Sequence, residues 1–295
     1  MREHLSAETE FAAFALRARE TPGLFIFLEG DDDLLLIEDH VSDPVFVDTL
    51  PGGKPTAIEF AKLIDAAGAR RARVVIDRDY DSVEKVSSYP ECIVTTQTHD
   101  FFMDILLVAP AVLSRVINTA TDKLRRIGSG STRSRERPSA DEIISKSLDA
   151  AAKVAALRAV AEYHNLSLKF KATNFDELVS GNLGISDIIS SIPGWGDLDL
   201  RMQNVLILES KALFEGEETP SPWFYVGDHD FFKALAAQLK LEGAPESAKG
   251  LQQGVIRAAT CKSIRSSSWH QRLFLWCQSF GYGDRICGPV ELCEI

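Results

Sequence analysis

The chain has 295 residues, 45% of them hydrophobic and 25% charged, with a formal net charge of −11. At roughly 100–200 residues per domain, one large or two modest globular domains fit that length. No apolar run approaches the ~20 residues of a bilayer span, the N-terminal Met1-Arg2-Glu3-His4 opens no secretory apolar segment, and the acidic balance argues against wholesale coating of nucleic acid.

In chain order, the first ~115 residues read as alternating strands and helices. Leu24-Phe25-Ile26-Phe27-Leu28 is a continuous apolar run, the pattern of a strand covered on both faces. A helix follows through Leu34, Leu35, Leu36 and Ile37, with Asp31, Asp32 and Asp33 at its start, where acids can cap free N–H groups. Val45-Phe46-Val47 is a second strand, closed by Pro51-Gly52-Gly53-Lys54. Ala57, Phe60, Ala61 and Ile64 recur at helical spacing up to Gly68. Val74-Val75-Ile76 runs as a third strand into Asp77, and Cys92-Ile93-Val94 is a fourth, followed by a helix from about Asp100 to Ile117. Such units favour a parallel sheet, whose ligands sit beyond the carboxyl ends of its strands. From Thr121 to Pro138 a basic loop surrounds Gly128-Ser129-Gly130-Ser131. Asp141 to Tyr163 is Ala-rich and helical, and the remainder reads as mostly helical.

Two motifs carry the chemistry: Leu28-Glu29-Gly30-Asp31-Asp32-Asp33 and Asp77-Arg78-Asp79-Tyr80-Asp81, each directly after an apolar strand. Alternation puts Asp77 and Asp79 on one side while the backbone stays extended. With Glu29 from a neighbouring strand they would form an oxygen-rich, highly negative pocket suited to Mg²⁺, with Mn²⁺ as a substitute. Taken singly, such acids could equally cap helices or lie solvated in loops. The five cysteines, Cys92, Cys261, Cys277, Cys287 and Cys293, are an odd count without C-x-x-C spacing. They speak against a disulfide scaffold or a zinc ribbon and suit a reducing cytoplasm.

Glu-Gly-x-x-Asp after a first strand and Asp-x-Asp after a later one resemble the TOPRIM domain of topoisomerases, bacterial primases and a class of nucleases. Over residues 24–106 the fuller string looks like the AriB-type effectors of the PARIS phage-defence systems, which pair with an ABC-type ATPase. It comprises Phe27-Leu28-Glu29-Gly30, Leu50-Pro51-Gly52-Gly53-Lys54, Val75-Ile76-Asp77-Arg78-Asp79-Tyr80-Asp81 and Thr98-His99-Asp100. The likeness implies a Rossmann-like α/β sheet flanked by helices. The expected organisation is a catalytic domain over residues 1–118, a basic flexible connector over 119–140 and a mainly helical domain over 141–295. It makes Glu29 the metal-linked acid/base, Asp77 and Asp79 metal ligands, and Asp81 an outer or second-metal acid. The chain departs from the pattern in the helix after the fourth strand, where relatives often carry a Glu; Asp100 or Asp104 would substitute, and Asp33 is a further acid.

The implied activity is Mg²⁺-dependent phosphodiester hydrolysis by a cytoplasmic toxic effector under ATPase control, with RNA, transfer RNA included, slightly favoured over DNA. A homodimer is left open. Lys54, Arg78, Arg133, Arg135 and Arg137 are the candidate phosphate contacts; Lys54 could equally be solvated beside its two glycines. Trp269, Leu273 and Trp276 fit a core face better than a base-stacking platform. Two alternatives stand beside the nuclease. One is a non-catalytic adaptor that only binds the ATPase. The other is a metal phosphohydrolase built on the doubled His-Asp of His99-Asp100 and His229-Asp230, for which His40 and His164 show no fitting spacing.

Overall fold

The computed structural model describes residues 6–127, 138–181, 183–216 and 220–287. The chain divides into two units, residues 1–109 with 259–295, and residues 110–258.

The first unit is α/β. Helix α1 (Ala7–Glu20) is capped by Ser6, whose side chain accepts from the Thr9 N–H, and carries acids in its first turn and arginines in its last. Four strands follow: β1 (Leu24–Leu28), β2 (Val45–Thr49), β3 (Ala72–Ile76) and β4 (Ile93–Thr95). All pair in parallel in the order β2-β1-β3-β4. The chain therefore leaves β1 in one direction for β2 and in the other for β3, which makes the β1/β3 seam the topological switch point. Between the strands lie α2 (Asp31–Ile37), α3 (Gly53–Ala66) and the short α4 (Val83–Ser87), and α5 (Phe101–Val108) follows β4.

β1 is buried along its whole length because both faces of the sheet are covered. On one face α1 and α3 bring Phe14 and Phe60 against Phe25 and Phe27, with the Phe27 and Phe60 rings 4.7 Å apart. The C-terminal segment also belongs to this unit, through α13 (Cys261–Arg265) and α14 (Ser268–Ser279). Trp269 of α14 is fully buried and stacks on Phe101 at a ring separation of 4.0 Å, and Trp276 donates to the Arg70 carbonyl. These aromatics are core, as their helical spacing predicts.

The second unit holds only helices and turns among its described residues. The helix expected over 100–117 is broken at Ala109, because Pro110 has no N–H to donate and biases its predecessor away from helical backbone. A new helix, α6 (Pro110–Ile127), starts there and occupies the first part of the expected connector. Its Gly254-facing side is tight: a Cβ on Gly254 of α12 (Ala248–Ala258) would come within 2.9 Å of Val116. Helix α7 (Ala140–Tyr163) opens with a capping box between Ser139 and Glu142 and buries an alanine stripe. It packs against α8 (Phe175–Val179), α9 (Ile185–Ser190), α10 (Leu200–Glu215) and α11 (Asp228–Leu241). The expected boundaries at 118 and 141 thus shift. The first stretch of that unit ends at Ala109 and residues 259–295 return to it, with α13 packed on α5 and α14 on β4. Among the described residues no single helix is long and apolar enough to cross a membrane.

If Trp269 completes the first unit's core, Trp269→Ala destabilises that unit by about 3–5 kcal/mol. Hydrogen exchange checks this: amides of β1 and β3 lose protection while those of α7 keep theirs.

Candidate functional site

Glu29 follows the last residue of β1 and Asp77 the last residue of β3, so the switch point sets them side by side at the carboxyl rim of the sheet. Glu29 Oε2 accepts the Asp77 N–H at 3.3 Å, and the Lys54 backbone N–H in the first turn of α3 also favours the Glu29 carboxylate. The Gly-Gly turn that leads into α3 is set by backbone conformation. Gly52 and Gly53 both have positive φ, and a Cβ on Gly53 would approach within 4.0 Å of Glu29 Oε1. Asp77 Oδ1 accepts the Phe101 N–H at the start of α5 at 3.0 Å. Two helix N-termini therefore aim donors at the two acids, the arrangement such termini offer any anion.

Asp33 in the first turn of α2 and Asp100, the N-cap of α5, complete the basket. Burial pushes the Asp33 carboxyl up to about 8, helped by repulsion from Asp100 and Glu29. Burial first, then Asp33, Asp100, Glu29 and Asp79, hold Asp77 well above the usual carboxylate range. Glu29 is raised by burial and by Asp79, against the hydrogen bonds it receives. Asp100 also accepts the Met103 N–H at 2.9 Å. Among the described residues, the one set of three His, Cys, Asp or Glu side chains whose ligand atoms all lie within 4.8 Å of one another is His40, Cys261 and Cys287. The acids thus form a looser basket.

Asp79 and Asp81 belong to a different network. β3 ends at Ile76 and Asp79 has a φ of 52°, so strand alternation does not carry it to the side of Asp77 as expected. Its N–H donates to the His99 carbonyl at 2.8 Å, and its Oδ2 takes Lys54 Nζ at 2.8 Å. Lys54 Nζ also pairs with Asp81 Oδ2 at 2.6 Å and donates to the Arg78 carbonyl. Burial works against the Lys54 charge, yet the Asp79 and Asp81 carboxylates outweigh it and raise the ammonium above its usual range. Asp81 is buried, but bonds from Lys54, Lys85 and Tyr89 hold it below the usual carboxylate range. The expectation of Asp81 as a metal-site acid therefore gives way to a neutralised structural acid.

The expected phosphate contacts fare similarly. Lys54 is neither solvated nor free for a phosphate, and Arg78 donates to the Asp81 and Gln97 carbonyls. Arg133, Arg135 and Arg137 lie outside the described residues. Asp104 does not stand in for a fourth acid in the basket: it staples the loop before α5 by accepting the Gln97 and Thr98 N–H groups at 2.6–3.0 Å. His99 sits at the rim, 3.5 Å from Asp100 Oδ2 and 3.9 Å from Asp79 Oδ1, edge-on to Tyr80. Sequence reasoning met it only as part of a motif. In the helical unit, Asp230 is held through both oxygens by Arg158 at 2.7 and 3.2 Å, an ion pair and not a metal ligand set.

The donor type is that of a hard divalent cation, while among the described residues no three of these acids bring their oxygens within 4.8 Å of one another. Glu29, Asp33, Asp77 and Asp100 offer only oxygen, and a shared 2+ charge would relieve the repulsion that burial aggravates. Neither a protein-family model nor a curated protein matches this chain.

The raised carboxyls fix a pH dependence. Both acids titrate near 3.9 when unfolded, so as pH rises from there towards about 8 the unfolded chain releases protons that folded Asp33 and Asp77 retain. Stability in chelator is therefore expected to fall over that window. Mg²⁺, which displaces those protons, should raise the melting temperature more at pH 8 than at pH 6. Scanning fluorimetry with and without EDTA checks this, and Asp33→Asn should flatten the chelator profile.

Proposed function

We propose that the protein is a Mg²⁺-dependent nuclease of TOPRIM type. The observation that carries this reading is the convergence of Glu29, Asp77, Asp33 and Asp100 at the β1/β3 switch point, with the Glu29, Asp33 and Asp77 carboxyls raised by burial and by neighbouring acids. Glu29 and Asp77 would hold the metal, with Asp33 or Asp100 adding a further oxygen. Asp79 stands at the edge, tied to Lys54. When bound, Mg²⁺ or Mn²⁺ supplies Lewis acidity and charge neutralisation at a phosphodiester. Glu29, whose carboxyl burial and Asp79 raise above its usual range, is suited to take and return a proton at its carboxylate. The N–H groups opening α3 and α5 orient Glu29 and Asp77. The Lys54–Asp79–Asp81 ion network keeps the adjoining loop in place.

The resemblance of the motif string to AriB-type effectors supports the rest of the reading: a toxic effector restrained by an ABC-type ATPase, with RNA ahead of DNA as target.

The full-length protein with its ATPase partner, incubated with transfer RNA or plasmid DNA, is expected to cleave one of them with Mg²⁺ and neither with EDTA. Asp77→Asn should lower the rate by about 100-fold while leaving the chelator melting temperature unchanged or higher, because a neutral amide replaces a buried carboxyl whose ionisation its surroundings oppose. Equal rates in wild type and variant would reject the proposal. Absence of cleavage in both would leave an adaptor in its place.

A further inference from the structure

We propose that His40, Cys261 and Cys287 form a structural zinc site, separate from the carboxylate basket. Their ligand atoms all lie within 4.8 Å of one another, and His40 Nδ1 is 3.3 Å from Cys261 Sγ. Tetrahedral zinc, with Zn–S near 2.3 Å and Zn–N near 2.0–2.1 Å, sets neighbouring donors about 3.5–3.8 Å apart. Small side-chain movements bring these three into that geometry. Two thiolates and an imidazole form a borderline-soft set that selects zinc over the hard cation suited to the acids.

The site is built from three distant segments that backbone bonds already hold together. His40 ends the 3-10 turn after α2, Cys261 opens α13, and Cys287 lies in the C-terminal segment. The Cys287 N–H donates to the His40 carbonyl at 2.6 Å, the Ser42 N–H donates to the Arg285 carbonyl at 2.9 Å, and Val41 bridges Ile286. Arg265 of α13 donates to the Cys287 carbonyl. Cys287 itself has a φ of 63°, an uncommon backbone for a residue with a side chain. A second observation points to a ligand. His270 is 2% exposed and neither ring nitrogen has a hydrogen-bond partner within bonding geometry, although the Ile286 backbone lies close by. The His270 nitrogens are not among the ligand atoms that lie within 4.8 Å of one another, so His270 joins the three only through a side-chain movement, and the fourth tetrahedral position is otherwise a water's. Cys92 and Cys277 do not compete for the metal: burial pushes both thiols up to about 12.

Full-length protein purified without chelators is expected to carry about one zinc per chain by elemental analysis. Cys261→Ser and Cys287→Ser should each lose most of it, and His40→Ala should weaken binding at least tenfold. Glu29→Ala should keep it, so this inference and the nuclease reading can fail separately. Cobalt(II) added to metal-stripped wild type should produce thiolate-to-cobalt charge-transfer absorption, a readout that does not depend on any variant folding. No zinc in wild type together with no such absorption would overturn the proposal. So would full zinc content in the Cys261→Ser/Cys287→Ser double variant, or a Cys261–Cys287 disulfide found by mass spectrometry in freshly isolated protein.

Discussion

Repulsion among buried carboxylates is the constraint around which the α/β unit is organised. Glu29, Asp33, Asp77 and Asp100 come from four separate elements, and burial makes the charges of Glu29, Asp33 and Asp77 harder to bear beside the others. The fold tolerates the cluster because backbone N–H groups at the starts of α3 and α5 point at it and because Asp33 and Asp77 hold their protons to unusually high pH. The stack of Trp269 on Phe101 matters here, since Phe101 supplies the N–H to Asp77. A core contact from the far end of the chain thus stands behind a site residue.

The acids divide by their partners. Asp79 and Asp81 meet Lys54, with Lys85 and Tyr89 adding to Asp81, so their charges are answered within the protein. Asp104 is answered by backbone N–H groups, although burial still leaves its carboxyl raised. Glu29, Asp33 and Asp77 are answered only in part. That division explains why an Asp-rich segment such as 77–81 contributes one residue to the basket and two to its scaffolding.

Much of this was legible in the sequence. The apolar runs at 24–28, 45–47, 74–76 and 92–94 overlap the four strands, most fully at β1, which is covered on both faces and is apolar throughout. Glu29 and Asp77 were legible as strand-end acids. Asp79 was misplaced because alternation was extended past Ile76, where the chain turns into left-handed backbone that no period reveals. Lys54 was read as a phosphate contact since its partners, 25 and 27 residues on, leave no local trace. Helix α1 was missed although Ser6, Glu8, Glu10, Arg17 and Arg19 spell its ends. The return of α13 and α14 to the sheet was invisible for a different reason: an amphipathic helix shows which face is buried and not which surface buries it.

Helix α2 ties these observations together. Its first turn carries Asp33 into the oxygen-lined basket, and the turn that ends it carries His40 to Cys261 and Cys287. A seven-residue helix has little stability of its own, so its position is set by what holds its two ends. At the start, repulsion among carboxylates tends to push Asp33 away. At the end, the bonds from Cys287 and Ser42 to the His40 turn and the C-terminal strand of contacts hold it down. Sequence spacing of 221 residues between His40 and Cys261 hides this anchor, yet it lies one short helix from the acid whose placement is hardest to maintain. The C-terminal segment is therefore part of what keeps the acidic basket assembled, and a chain cut at the apparent end of the strand–helix repeat would lose both the cover over Phe101 and the anchor of α2.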